Sequence, residues 1–139
     1  MEALGMSDDL LIVIVDDDQS AREATGDLVR ALGFQAVEFC SAADLLKSEE
    51  RGRMTCLIAD VQMPGMNGLD LYLQLSASGT PPPTVLMTAY RDEAMRERAV
   101  EAGVDFYLEK PLEADQLLAC VRSAIEHRDE PARQGPRPH

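Results

Sequence analysis

Leu10-Leu11-Ile12-Val13-Ile14-Val15 runs without a polar residue and then meets Asp16-Asp17-Asp18, and the reading of that junction decides the fold. An apolar run with no alternation fits a strand covered on both faces, the pattern of a parallel sheet. Three more short runs read the same way: Cys56 to Ala59, Thr84 to Met87, and Val104 to Leu108. Gln35 to Phe39 is more polar, alternates in part, and reads as an edge strand.

Helical signals fill the gaps. Ser20 and Glu23 have capping-box spacing, Ala21, Leu28 and Leu32 recur at near-helical intervals, and Gly33 stands where a left-handed stop is wanted, so a first helix is expected over about 20–32. Ser41 and Asp44 open a second helix. Asn67 caps a third with Leu69, Tyr72 and Leu73 inward, Asp92 opens a fourth that Gly103 ends, and a fifth carries Leu117, Val121 and Ile125 on one face. The resulting order is strand–helix repeated. Crossovers long enough to hold helices make the sheet parallel and the connections right-handed, which gives an α/β doubly wound fold of three layers.

The 139 residues suffice for one core, and 13 Lys plus Arg against 25 Asp plus Glu leave a net charge of −12. That charge repels phosphate backbones and anionic lipid, so no direct nucleic-acid contact is expected. The longest apolar run is the six residues from Leu10 to Val15, against roughly 20 for a membrane span, so no membrane insertion is expected. Residues 1–9 read as an N-terminal extension with neither the basic flank nor the apolar stretch of a secretion signal, and a cytoplasmic location is expected. Residues 128–139 hold three Pro, one Gly and three Arg but no large apolar side chain, and read as a disordered tail or linker stump. Cys40, Cys56 and Cys120 lack metal-site spacing and read as small core residues, while His127 and His139 read as solvated.

In an open parallel sheet the ligand site lies beyond the carboxyl ends of the strands. Those ends hold Asp16, Asp17 and Asp18, then Asp60, Thr88 and Lys110. Each is bland alone, because Asp at a strand end is often a cap or turn former. Together they set at least three carboxylates, a hydroxyl and an ammonium at one edge, where mutual repulsion raises carboxylate pKa values unless a cation intervenes. All-oxygen ligation without His or Cys suits Mg²⁺. Met63, Met66 and Met87 read as packing residues, and Gly65 and Gly68 as turn formers that lack nucleotide-loop spacing.

Val15-Asp16-Asp17-Asp18, the segment from Asp60 to Gly68, Thr88-Ala89, and Tyr107-Leu108-Glu109-Lys110-Pro111 together resemble the receiver domains of response regulators of bacterial two-component systems. The resemblance covers about residues 10 to 127 and is nearest to the branch with helix-turn-helix outputs. It implies a five-stranded sheet in the flavodoxin-like order 2-1-3-4-5, and a phosphoacceptor that takes a phosphoryl group from a sensor histidine kinase onto Asp60. It implies Mg²⁺ held by Asp17, Asp60 and the backbone carbonyl of Gln62, with Asp16 acting through water. Lys110 would pair with Asp60, the Lys110-Pro111 bond would be cis, and Thr88 would donate to a phosphoryl oxygen. Thr88 and Tyr107 would form a switch reporting to the face made by the fourth helix, fifth strand and fifth helix, where a downstream effector or a second copy docks. Gln62 and Tyr90 would tune dephosphorylation. Catalysis would be limited to the protein's own phosphorylation and slow autodephosphorylation. Asp18 has no role in that pattern and reads as a helix-start charge.

Two rivals remain open at this point. Asp16-x-Asp18-x-Ser20 imitates the nucleophile loop of haloacid-dehalogenase-type phosphatases, although the chain lacks a later acidic pair and that reading leaves the Asp60 segment without a purpose. A receiver fold acting only as an unphosphorylated docking module leaves the complete acceptor set unexplained. A flavin-binding relative would need a phosphate-binding loop where three acids stand.

Overall fold

The computed structural model describes residues 10–79 and 81–128. The chain alternates β1 (Leu11–Val15), α1 (Gln19–Ala31), β2 (Gln35–Phe39), α2 (Ala42–Leu46), a 3₁₀ turn (Glu49–Gly52), β3 (Cys56–Asp60), α3 (Gly68–Ala77), β4 (Thr84–Thr88), α4 (Glu93–Ala102), β5 (Phe106–Glu109) and α5 (Ala114–Arg128). All pairings are parallel and the strand order is β2-β1-β3-β4-β5, the doubly wound arrangement expected. The extension at 1–9 and the tail beyond Arg128 lie outside the described residues.

Strand periodicity sorts the core into two layers. Leu11, Val13, Val15, Leu57, Ala59 and Leu86 face one way, onto Leu45 of α2, Leu69, Leu71 and Leu75 of α3, and Ala99 of α4. Ile12, Ile14, Ile58, Val85 and Met87 face the other way, onto Val29 of α1 and Leu117, Val121 and Ala124 of α5. β1, β3 and β4 are buried at every position, which explains their unbroken apolar runs. Met63 and Met87 are buried and Met66 packs against the core, as packing residues should.

Several local expectations need correction. Asp18, not Ser20, caps α1, because its carboxylate stands two and three residues before the Ser20 and Ala21 N–H groups that it accepts from at 3.0 and 3.3 Å. Thr25, Gly26 and Val29 form the buried line of α1, with Ala21, Leu28 and Leu32 only partly buried beside it. Leu73 is 45% exposed, and Leu71 and Leu75 take the inward places on α3 beside Leu69 and Tyr72. Cys40 is exposed after edge strand β2, whereas Cys56 and Cys120 are buried. β5 starts at Phe106, because Val104 N–H still bonds back to Ala99 at 3.1 Å and Asp105 accepts from Thr84 N–H at 3.0 Å; it is an edge strand, half-buried at best. Ser41, Asn67 and Asp92 do cap α2, α3 and α4, and Gly33 and Gly103 follow α1 and α4 at φ +99° and +97°.

Candidate functional site

Parallel register levels the strand ends. Val15 lies opposite Ala59, Asp60 opposite Met87, and Thr88 opposite Glu109, so Asp16 stands beside Asp60, with Thr88 and Lys110 following on the neighbouring strands. Lys110 N–H donates to the Thr88 carbonyl at 2.8 Å, and the Lys110-Pro111 bond is cis. Gly68 opens α3 against the end of β3. A β-carbon there would come within 2.7 Å of the Asp60 carbonyl oxygen, so Gly68 serves close approach rather than a turn, while Gly65 at φ +75° is the turn former.

Asp16 is 0% exposed and Asp60 is 4% exposed, which is rare for carboxylates without partners. Lys110 Nζ donates to Asp60 Oδ2 at 2.8 Å and to Asp16 Oδ2 at 2.9 Å. The remaining oxygens are also bonded: Asp16 Oδ1 accepts from Asp18 N–H at 3.0 Å and Asp60 Oδ1 from Gln62 N–H at 2.8 Å. Burial pushes the Asp16 carboxyl above its ordinary pKa and the Asp60 charge adds to this, against the lowering effect of Lys110 and the Asp18 N–H. Burial alone would lower the Lys110 ammonium, but its hydrogen bonds to Asp60 and Asp16 outweigh that and raise it.

Asp16, Asp17 and Asp60 each offer a carboxylate oxygen, and these lie within 4.8 Å of one another. Against three carboxylates stands one ammonium, so 3 − 1 leaves two negative charges, the amount a divalent cation balances. The donors are all oxygen and Asp17 is solvent-exposed, so the cluster fits a hard cation that keeps some of its water. Asp18, committed to α1, stands apart from this cluster.

The other half of the site is organised differently. Thr88 is buried, and its hydroxyl donates to the Tyr90 carbonyl at 2.7 Å and accepts from the Tyr90 N–H at 3.0 Å, so it is turned along its own chain and bonds neither Asp60 nor Lys110. Tyr90 is 70% exposed, and the Gln62 side chain is exposed next to the Asp60 segment. Tyr107 is half-buried on β5, with a hydroxyl that is out of solvent and has no hydrogen-bond partner among the described residues. Burial and then the Asp92 carboxylate raise its pKa, opposed by nearby Thr88 and Arg96. A cavity of about 220 Å³ opens between Thr88, Tyr107 and the Asp92–Arg96 start of α4.

Sequence reasoning missed two contacts. Strand ends suggested convergence but not that Lys110 would bridge both buried acids; the signal was Asp16 at the tip of a wholly apolar strand. Arg22, whose Nη1 donates to the Asp16 carbonyl at 2.9 Å, carries no sequence signal, because it sits inside a helix, six residues past the acid it holds.

Residues 12–122 match the family of the response regulator receiver domain. This chain is a receiver domain. It is 36% identical over 116 residues to the response regulator protein TodT of Pseudomonas putida, covering 84% of this chain and 51% of TodT. It is 32% identical over 122 residues to the transcriptional regulatory protein FixJ of Bradyrhizobium diazoefficiens, covering 88% of this chain and 60% of FixJ. The structure of the response regulator StyR superposes with a TM-score of 0.80 at 34% identity, over 90% of this chain and 63% of StyR. The chain therefore spans about half to two thirds of the length of these relatives, one of which, FixJ, is named as a transcriptional regulatory protein. A receiver domain is a phosphoacceptor signalling module of two-component systems, and nothing in these likenesses supports a phosphatase. Among the described residues no helix is long and apolar enough to cross a membrane.

Proposed function

We propose that this chain acts in the cytoplasm, that Asp60 is the phosphoacceptor, that Mg²⁺ is held by Asp17, Asp60 and the Gln62 carbonyl with Asp16 acting through water, and that a sensor histidine kinase is the donor. The observation that carries this reading is the position of Asp60, which shares one ammonium with Asp16 and stands within reach of the one exposed acid of the cluster, Asp17. One Asp60 oxygen forms the new bond to phosphorus as the donor's bond to phosphorus breaks, and that electron pair leaves with the donor group. Mg²⁺ when bound supplies positive charge against the phosphoryl oxygens, as is general for phosphoryl transfer. Lys110 holds the acceptor carboxylate beforehand and then follows the phosphoryl group, since its ammonium already lies 2.8 Å from Asp60.

Loss of the phosphoryl group is a slow hydrolysis: water attacks at phosphorus, the bond to the Asp60 oxygen breaks with its electron pair returning to the carboxylate, inorganic phosphate leaves with the water's oxygen, and Gln62 and Tyr90 flank that approach. Thr88 leaves Tyr90 to donate to a phosphoryl oxygen, and Tyr107 moves into the space vacated. The altered face of α4, β5 and α5 then receives a downstream effector or a second copy of the chain. A bias of about 3 kcal/mol between two packings shifts such an equilibrium roughly a hundredfold.

The test is intact mass after incubation with acetyl phosphate and Mg²⁺. Wild type should gain one phosphoryl group, Asp16→Asn should retain part of that capacity, and Asp60→Asn should gain none. An undiminished adduct in Asp60→Asn contradicts the assignment.

A further inference from the structure

Asp17 is exposed, and its carboxylate makes no hydrogen bond or ion pair among the described residues. Its place in the acidic cluster is therefore inherited from the backbone, chiefly from the peptide that joins it to Asp16. That peptide is held from the side. Arg22 Nη1 donates to the Asp16 carbonyl at 2.9 Å, and the peptide before it is tied to β2 by Asp16 N–H donating to the Phe39 carbonyl at 3.2 Å. Arg22 in turn is steadied by Glu38 of β2, whose Oε1 lies 3.8 Å from Arg22 Nε and whose Oε2 accepts from Arg30 Nη1 at 2.9 Å. Arg22 and Glu38 are both mostly shielded, at 17% and 18% side-chain exposure. Gly26 makes the arrangement possible: a β-carbon there would fall 2.8 Å from Glu38 Cδ and closer still to its Oε2.

A guanidinium beside an acidic pocket should, by charge alone, repel an incoming cation. Glu38 offsets that charge and leaves Arg22 its geometric effect. Resting on the reading of the cluster as a Mg²⁺ site, we propose that Arg22, braced by Glu38 in the space left at Gly26, is a positioning residue that fixes the Asp16–Asp17 peptide and so sets Mg²⁺ affinity. The two effects have opposite signs. Loss of Arg22 as a charge would tighten Mg²⁺ binding, whereas loss of Arg22 as a positioning group weakens it.

The experiment titrates the full chain with Mg²⁺, follows amide shifts by NMR, and records thermal melting alongside. Arg22→Ala should bind Mg²⁺ about tenfold more weakly, the low end of what outer-shell partners contribute, and should shift the Asp17 amide even without Mg²⁺. Arg22→Lys should recover part of the affinity. Unchanged or tighter binding by folded Arg22→Ala overturns the proposal. If that variant melts too early to titrate, Gly26→Ala decides: alanine favours the helix but displaces Glu38, so weaker binding together with an Asp17 amide already shifted without Mg²⁺ upholds the brace, and unchanged binding, or weaker binding with that amide unmoved, rejects it. Wild type that binds Mg²⁺ yet takes no phosphoryl group from acetyl phosphate would sink the phosphoacceptor reading and leave this one standing. Wild type that binds no Mg²⁺ overturns both.

Discussion

On the side of β1 and β3 every strand residue is buried and all four carboxylate oxygens of Asp16 and Asp60 accept a hydrogen bond, whereas on the side of β5 and α4 the packing is loose. There β5 is only half-buried, α4 buries Ala99 alone, Val100 is 60% exposed, a cavity of about 220 Å³ opens between the start of α4 and the sheet, and the Tyr107 hydroxyl lacks a hydrogen-bond partner among the described residues. The contrast assigns the two tasks of a signalling module to different halves. The packed half fixes its buried acids in place, and the loose half has room to rearrange at small cost.

The largest expected effect tests that contrast in the core. Ile58→Ala, on the wholly buried strand that ends in Asp60, should lower unfolding free energy by about 3 kcal/mol, within the range for such truncations. Val100→Ala on α4 should stay within about 0.5 kcal/mol in the same denaturant melts. Comparable losses at both positions would erase the distinction.

Lys110→Ala comes next, because it strips the ammonium from two buried carboxylates. Without Mg²⁺ it should cost about 3 kcal/mol, as for breaking a buried pair, and Mg²⁺ should stabilise the variant more than wild type. The pH dependence has a definite sign. Because the Lys110 pKa is raised in the fold, its contribution is whole below the ordinary value of 10.5 and is lost as pH climbs through the higher folded value. Melts carried upward through pH 10.5 should therefore show wild type, but not Lys110→Ala, losing that increment.

The smallest effect is at Tyr107. Tyr107→Phe removes a buried hydroxyl that has no hydrogen-bond partner among the described residues, so the unphosphorylated protein should gain about 1 kcal/mol rather than lose it. A loss of stability would mean that the hydroxyl is satisfied and that the loose half is tighter than it looks.

The same division governs what could be read from the sequence. Strands buried on both faces carry unbroken apolar runs, so β1, β3 and β4 and the residues at their tips were legible, as were the caps Ser41, Asn67 and Asp92. β5 was legible as a strand but misplaced, because Val104 and Asp105 look like its start while serving the end of α4 and the edge of β4. Leu73 misled because α3 has more leucines than its buried face can hold. Contacts between residues far apart in the chain, such as Lys110 to Asp16 across 94 positions, leave no local pattern. The idle hydroxyl of Tyr107 and the turning of Thr88 onto Tyr90 depend on side-chain rotation, which spacing does not encode.

The most direct measurement compares amide NMR spectra with and without beryllofluoride, a phosphoryl mimic, in the presence of Mg²⁺. The expected result is large shifts around Asp60 that continue through Thr88 and Tyr107 into residues 91–125, with little change in β2 and the body of α1. Shifts confined to the Asp60 pocket, or spread equally over both halves, would contradict the division of labour between a half that holds and a half that moves.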